Sequence, residues 1–250
     1  MGLVETEAIV LRTYRLAEAD KIVSCLTKDV GLVRGVARGA RRLKNRFGAS
    51  LEPFTHISLT YFEKEGRELV SVRSAEILRS HFELARNAET VAALEYLCEL
   101  ASEFAPPHEP NEKLFRMVRA CLEAIAEAPD QLPSFVRYYE IWILRLSGFL
   151  PDPRFCVSCN KRLASDQGET VYISHEGALR CSACSGGAGG TTLSSETHAQ
   201  MRATLRLSPS EWAQSAKQVS NDARDELAQI TRRLIARALE RAPRGQSSVH

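Results

Sequence analysis

The chain has 250 residues, of which 44% are hydrophobic and 26% are charged, and its formal net charge is +2. This composition is ordinary for a soluble globular protein, and the length suits one large domain or two to three small ones. No apolar run reaches membrane-spanning length, and the N-terminus lacks the basic-then-apolar pattern of a secretory signal. We therefore expect no membrane partner.

The charges fall into three blocks along the chain. Residues 1–80 contain 14 Lys/Arg against 10 Asp/Glu, residues 81–153 contain 6 against 12, and residues 154–250 contain 13 against 9. These shifts in sign suggest domain boundaries. We expect a nucleic-acid-binding domain over residues 1–80 and a helical domain over residues 81–250.

The first 80 residues show the alternation of β-strands and no helical periodicity. Ile57, Leu59 and Tyr61, for example, share one face of a predicted strand. Five or six short strands in this length indicate a small closed barrel, of which the OB-fold is the commonest five-stranded form. The predicted strands cover residues 6–11, 21–26, 32–37, 57–62, 69–72 and 75–78.

A strongly basic segment follows the third predicted strand. Residues 34–47 contain six cations and no acid: Arg34, Arg38, Arg41, Arg42, Lys44 and Arg46. Gly35 and Gly39 would let the backbone approach a partner closely, and Phe47 and Tyr14 are candidates either for base stacking or for the core. Such a loop on a barrel suits a nucleic-acid backbone, and the alternative is a solvated charged loop.

Helical spacing begins after residue 80. Thr90 is the expected cap of a first helix that ends before Pro106, Asn111 caps a second, and Pro133 opens a third. Three amphipathic helices predict a small bundle. Cys25, Cys98 and Cys121 stand singly among apolar residues and are expected in the core.

Two CxxC pairs, separated by 21 residues, have the spacing of a metal site: Cys156 and Cys159, then Cys181 and Cys184. Four thiolates complete a closed tetrahedral shell around one Zn²⁺, which is typical of structural rather than catalytic zinc. The alternatives are two unrelated pairs or a disulfide framework, and His175 is a spare ligand candidate. A zinc site with reduced thiols fits the cytoplasm.

The last third of the chain carries three further features. The glycines of residues 186–190 lack a following Gly-Lys-Ser/Thr and are interpreted as a flexible exit from the zinc unit, predicted at residues 154–186. A final helix from about Asn221 carries a ridge formed by Arg233, Arg237 and Arg241, which is either a solvated face or a second nucleic-acid contact. Residues 243–250 are expected to be disordered.

The predicted fold class is α+β multidomain, with an N-terminal OB-fold β-barrel followed by a helical bundle with an embedded Cys₄ zinc finger. The sequence contains no GxxxxGK[ST], HExxH or GxSxG motif and no convincing Cys/His or carboxylate pair, so we expect no enzyme. The closed Cys₄ set also argues against a metal-dependent or thiol enzyme.

Several motifs resemble the bacterial RecO recombination mediators. They are Glu7-Ala8-Ile9-Val10-Leu11, the run from Glu18 to Val23, the run from Leu26 to Leu32, the run from Ala37 to Gly48, and Leu51-Glu52-Pro53-Phe54. The order of barrel, helices and Cys₄ unit also matches that family. The likeness is strong over residues 7–54 and at the four cysteines, and weak over the helices and the tail.

The resemblance implies a DNA repair function in the RecFOR pathway. Family members bind single- and double-stranded DNA, anneal complementary strands, contact the tail of single-stranded DNA-binding protein, and join RecR to help RecA load. It implies DNA contacts by the six cations of residues 34–46. Some members lack the cysteines, which implies a structural role for zinc. The resemblance also implies residence in the cytoplasm, at the nucleoid during repair. The alternative is an RNA-binding or ribosome-associated zinc protein with an OB-fold.

Overall fold

The computed structural model describes residues 2–64, 66–164, 167–185 and 190–240. Among them the chain forms two units, one ending at Ala126 and the other beginning at Glu127. The glycines at 186–189, Arg241 and the tail from residue 243 lie outside the described residues, so the expectations for them stay predictions.

Five strands of the first unit close into a barrel, which confirms the predicted fold class. Their order around the barrel is β1-β2-β3-β5-β4, and all neighbouring pairs are antiparallel except β3 with β5. The strands are β1 (Gly2–Leu16), β2 (Asp20–Thr27), β3 (Gly31–Ala37), β4 (His56–Glu63) and β5 (Val70–Arg79).

The barrel interior is filled by the apolar face of each alternating strand. Val33 and Ala37 of β3 are buried, whereas Arg34 between them is exposed. Cys25 lies in this core as predicted, and Cys98 and Cys121 are buried elsewhere in the first unit. The alternation therefore sends the basic side chain of β3 outward.

Closure of the barrel depends on one short parallel contact between β3 and β5. Gly35 lies opposite Val70, and a Cβ atom at Gly35 would come within 2.8 Å of the Val72 side chain and 2.9 Å of the Val70 side chain. Only glycine allows the two strands to meet here. The close approach expected of Gly35 is thus made within the barrel.

The fifth strand is continuous, where the sequence had suggested two segments. The register shifts between Thr60 and Tyr61, so that Thr60 pairs with Ser74 and Tyr61 pairs with Val72. This irregularity absorbs the break in alternation without ending the strand. The barrel consequently has five strands rather than six.

Two helices complete the first unit, α1 (Ala88–Phe104) and α2 (Glu112–Glu127). The expected cap at Thr90 is wrong, because the Asn87 side chain accepts the N–H groups of Glu89 and Thr90 at 2.8 and 3.1 Å. Asn111 caps α2 as predicted, since its side chain accepts the Leu114 N–H at 3.0 Å.

The second unit begins with α3 (Leu132–Leu146), which carries Pro133 in its first turn as predicted. This helix packs on two of the described C-terminal helices, α5 (Pro209–Ala216) and α6 (Asn221–Ala238). A three-stranded sheet of order β7-β6-β8 carries the second cysteine pair. The remaining elements are β6 (Val171–Ser174), β7 (Leu179–Cys181), β8 (Gly190–Leu193), α4 (Ser195–Ala203), α5 (Pro209–Ala216) and α6 (Asn221–Ala238). None of the described helices is both long and apolar enough to cross a bilayer.

Two buried histidines lie in the first unit, near the end of β5 and the α2 helix. His56 contacts the Phe115 ring edge-on at 5.8 Å between ring centroids and lies 3.0 Å from a Glu7 carboxylate oxygen. His81 buries its Nε2 without a hydrogen-bond partner among the described residues. Burial lowers the pKa of both side chains, and Arg79 lowers that of His81 further.

These histidines should make the first unit less stable in mild acid. An unfolded histidine has a pKa of about 6.5, so below that pH the unfolded chain binds more protons than the folded one. Stability should be level above about pH 7 and should fall as the pH drops below about 6.5. Amide hydrogen exchange of β1 and β4 should show this fall, and His81→Phe should reduce it. The exposed His175, replaced by Asn, serves as control; an identical fall in the His81 variant would contradict the assignment.

Candidate metal centre and nucleic-acid interface

The first cysteine pair lies in a tight turn of the second unit. Phe155 and Arg162 form an antiparallel bridge on either side of the turn, and the Cys156 N–H donates to the Lys161 carbonyl at 2.8 Å. Asn160 turns the chain with a φ of 58°, in the left-handed region that asparagine tolerates better than most residues. This turn places Cys156 and Cys159 on one side of the metal centre.

The second pair follows directly from the small sheet. Cys181 ends β7 opposite Val171 of β6, and a short 3₁₀ turn over Ser182–Cys184 brings the last cysteine back. The Val157 N–H donates to the Leu179 carbonyl at 2.9 Å, which holds the first turn against the sheet. The β6–β7 hairpin between the two cysteine pairs therefore brings them together.

The four sulfur atoms lie within 4.8 Å of one another, and this arrangement could hold one metal ion. All four thiols are free. The separation of 3.8 Å between the sulfurs of Cys159 and Cys181 is far above the roughly 2.05 Å of a disulfide. It equals the edge of a tetrahedron with metal–sulfur bonds of about 2.3 Å. His175 is not in this cluster.

The electrostatics of the cluster favour a thiolate at its buried end. Burial raises the pKa of Cys156, but backbone N–H groups of Cys181, Cys159 and Ser158 donate to its sulfur and lower the pKa to about 6. Hydrogen bonding to Cys159 and Cys181 raises the pKa of Cys184. Four thiolates can coexist only around a cation, so metal binding would release the remaining protons.

The predicted cations lie on β3 and on the long connection from β3 to β4, residues 38–55. The side chains of all six residues are exposed: Arg34, Arg38, Arg41, Arg42, Lys44 and Arg46. None of the six forms an ion pair with any described residue. Their positive charge is therefore not neutralised by neighbouring carboxylates.

The shape of this connection is fixed by hydrogen bonds near its beginning. Arg41 donates from Nη1 to the carbonyls of Ala17 and Glu18 at 3.0 and 2.9 Å, and the Gly39 N–H donates to Asp20 Oδ1 at 2.8 Å. Both contacts tie the connection to the turn between β1 and β2. Arg41 therefore helps to hold the loop as well as adding charge.

The two aromatic candidates for base stacking differ in exposure. Phe47 is buried in the barrel core at 4% exposure, and the Arg46 guanidinium lies 4.7 Å from its ring centroid. Tyr14 is 47% exposed. Phe47 therefore anchors the connection from inside, and only Tyr14 of this pair presents its ring to solvent.

A basic cleft adjoins the connection, and sequence reasoning had not identified it. It has a volume of about 510 Å³ and is lined by cations from three parts of the first unit: Arg38, Arg46, Lys64, Arg67 and Arg73. Phe62, Leu69 and Ser71 complete the lining. Lys64, Arg67 and Arg73 were missed because acidic residues lie between them in the sequence. Strand alternation would nevertheless have placed Phe62 and Lys64 on one face.

Two of the three predicted ridge cations lie on α6 and contact a neighbouring hairpin, and a nucleic-acid contact by the ridge stays a prediction. Arg237 forms an ion pair with Glu176 at 2.9 Å, and Arg233 donates to the Ser174 carbonyl at 3.4 Å. Both acceptors belong to the β6–β7 hairpin of the metal centre. A Cβ atom at Gly177 would lie 3.1 Å from Leu234, so the hairpin turn sits closely on α6.

The sequence matches two family descriptions that together span nearly the whole chain. "Recombination protein O N terminal" covers residues 1–81, and "Recombination protein O C terminal" covers residues 85–247.

Individual relatives agree with this match. A DNA repair protein RecO of Koribacter versatilis is 37% identical over 161 residues, which are 64% of this chain and 65% of that protein, just under two thirds of its length. A DNA repair protein RecO of Anaeromyxobacter sp. (strain Fw109-5) is 32% identical over 237 residues, 92% of each chain. With a barrel, a Cys₄ cluster and these matches in agreement, the chain belongs to the RecO family.

Proposed function

We propose that this chain is a DNA-binding recombination mediator in DNA repair. The observation that carries the proposal is the cationic connection on the barrel, with six exposed cations and no acid between Arg34 and Phe47. None of the six pairs with a carboxylate in the described part of the chain. The names of the relatives, which describe DNA repair proteins, support the same function.

Contact with the phosphate backbone suits this surface better than base recognition. Exposed Arg and Lys side chains neutralise phosphates and position a strand without reading its sequence. Annealing of complementary strands requires free base edges, so backbone contact is the mode that a mediator needs. We assign these contacts to Arg34, Arg38, Arg41, Arg42, Lys44 and Arg46, for both single- and double-stranded DNA.

We assign the protein's action to binding partners rather than to catalysis. The partners are RecR and the acidic tail of single-stranded DNA-binding protein, through which RecA would be helped onto coated DNA. The family resemblance supports these partners, and no residue is assigned to either contact. The same resemblance supports residence in the cytoplasm, at the nucleoid during repair.

We assign one structural Zn²⁺ to Cys156, Cys159, Cys181 and Cys184. The four-sulfur donor set and its tetrahedral spacing fit this ion. Bound zinc would cross-link the two turns that carry the cysteine pairs. Its complete thiolate shell would leave no coordination position for a reacting water. The protein residues around it hold the β6–β7 hairpin on α6.

Loss of a ligand should release the metal and loosen the second unit. Cys181→Ser removes one of four ligands at a buried position, and metal-binding free energy at such a site is also folding free energy. Freshly purified, reduced parent protein should contain one zinc per chain by elemental analysis, and the variant should contain much less. Cys98→Ser, at a buried cysteine outside the cluster, is the matched control for stability. Parent protein without stoichiometric zinc would contradict the assignment.

Replacement of loop cations should weaken DNA binding equally on unrelated sequences. Arg34, Arg42 and Lys44 are exposed and lie outside the cleft, so we choose these three for a triple Ala variant. Each single-strand phosphate contact contributes about −0.7 to the slope of log affinity against log salt. The slope should therefore flatten by about 2 units if all three residues make contacts.

The control for that variant removes three exposed cations elsewhere in the first unit: Arg86, Lys113 and Arg116. This control variant changes the net charge by the same amount as the loop variant. If the slope of log affinity against log salt flattened equally in both variants, the effect would be one of general charge, and the loop assignment would be overturned. Binding to RNA of matched sequence is measured in parallel. Clear preference for RNA would favour the RNA-binding alternative.

The proposed partners should be captured directly. Immobilised protein should retain RecR, and it should retain intact single-stranded DNA-binding protein more strongly than a form without the acidic tail. It should hydrolyse no ATP. Absence of both interactions at low and at moderate salt would argue against a mediator.

A further inference from the structure

The basic cleft collects its cations from segments that are far apart in the sequence. Arg38 and Arg46 come from the connection after β3, Lys64 and Arg67 from the β4–β5 hairpin, and Arg73 from β5. Five positive charges around about 510 Å³ would repel one another without a counter-charge. Such an arrangement favours a polyanionic ligand.

Strand pairing explains why the cleft lies on the outside of the barrel. Ser71 pairs with Val36 of β3 on one side and with Phe62 of β4 on the other. Tyr61 and Val72 point into the core, so their neighbours Phe62 and Arg73 point outward. The cleft floor is therefore the outer face of β4 and β5, beside the pairing of β5 with β3.

The described carboxylates of the same hairpin, Glu63 and Glu68, do not neutralise the site. Neither Glu63 nor Glu68 lines the cleft, and none of its five cations forms an ion pair with a described residue. The Arg46 Nη2 donates to the Val72 carbonyl at 3.2 Å, which holds this side chain at the cleft wall. The cleft cations are thus exposed to solvent, and the Arg46 side chain is fixed in position.

An aromatic ring lies among these charges. The Arg73 guanidinium lies 5.9 Å from the centroid of the Phe62 ring, and Phe62 is half-buried in the cleft lining. Nucleic-acid bases stack on aromatic rings and on guanidinium planes. The cleft therefore combines phosphate-binding cations with a stacking surface.

The size of the cleft favours single-stranded DNA over a duplex. Its volume lies within the range of about 300–1,000 Å³ typical of pockets for one drug-sized molecule. One or two nucleotides of a single strand fit such a space, whereas paired and stacked bases of a duplex cannot enter it. A duplex can reach the exposed cleft cations with its outer phosphates, but its paired bases cannot reach the Phe62 ring.

We propose that this cleft is a single-strand-selective subsite, in which Lys64, Arg67 and Arg73 bind the phosphate backbone and the Phe62–Arg73 pair stacks on a base. The inference rests on the proposed function, and adds a division of labour to it. The six loop cations, including Arg38 and Arg46 at the cleft wall, bind either form of DNA, and Lys64, Arg67, Arg73 and Phe62 favour unpaired nucleotides.

The test compares two triple variants of the full chain by fluorescence anisotropy over a range of salt. One replaces Lys64, Arg67 and Arg73 with Ala, and the other replaces Arg34, Arg42 and Lys44. The cleft variant should flatten the salt slope on a single-stranded oligothymidylate by about 2 units, and should flatten the slope on a duplex clearly less. The loop variant should flatten both slopes. All the replaced side chains are exposed, and circular dichroism checks that the variants fold.

A cleft variant that keeps the parent's slope on both ligands would overturn this inference alone, as would one that flattens both slopes equally. Parent protein that binds neither ligand would overturn the proposed function and the inference with it.

A second variant isolates the stacking contact. Phe62→Leu keeps an apolar side chain on the cleft floor but removes the ring. Parent protein should change the fluorescence of a 2-aminopurine placed within the single strand, and the variant should not. The variant should also bind the single strand at least about fivefold more weakly than the parent. An unchanged fluorescence response in the variant would overturn the stacking contact.

Discussion

The contact between β3 and β5 is the constraint on which the first unit depends. It consists of a short parallel pairing at Gly35 and Val36, and it converts a meander of strands into a closed barrel. A side chain at Gly35 would collide with Val70 and Val72. Without this closure, β3 and β5 would separate, and the connection after β3 that carries Arg38 and Arg46 would not lie beside Arg73 of β5.

Much of the barrel could be predicted from the sequence because each strand shows its own alternation of buried and exposed residues. Alternation identified the strands, since each buries one face against the same core. Strand ends were less visible: β1 extends to Leu16, well past the predicted Leu11, because its pairing with β2 continues through polar residues. The first helix cap was also missed, because Asn87 and Thr90 are both capping residue types and only the backbone decides between them.

The two candidate sites were predictable to different degrees. The metal centre follows from spacing alone, since each CxxC turn brings two ligands together. The loop cations were visible because no acid interrupts them. The cleft was not visible, because Lys64 and Arg67 alternate with Glu63 and Glu68 and the segment looks neutral. Only the fold shows that Lys64 and Arg67 line the cleft whereas Glu63 and Glu68 do not.

The metal centre is connected to the helices through its hairpin. Glu176 pairs with Arg237, the Ser174 carbonyl accepts from Arg233, and Gly177 allows close contact with Leu234. Cations on a late helix face would ordinarily suggest solvent or a ligand, yet these two stabilise the packing of the β6–β7 hairpin on α6. The basic charge of the last helix is therefore largely used within the second unit.

The anchoring of Arg41 bears on the thermodynamics of ligand capture. Its bonds to the Ala17 and Glu18 carbonyls hold the connection in place before any ligand arrives. A loop that is already ordered loses little conformational entropy on binding, whereas a disordered basic arm must be ordered at that moment. Association with a polyanion should then be driven mainly by release of counterions, with a small heat-capacity change. Under the proposed function, strands would exchange rapidly, because neither binding nor release would require the loop to refold.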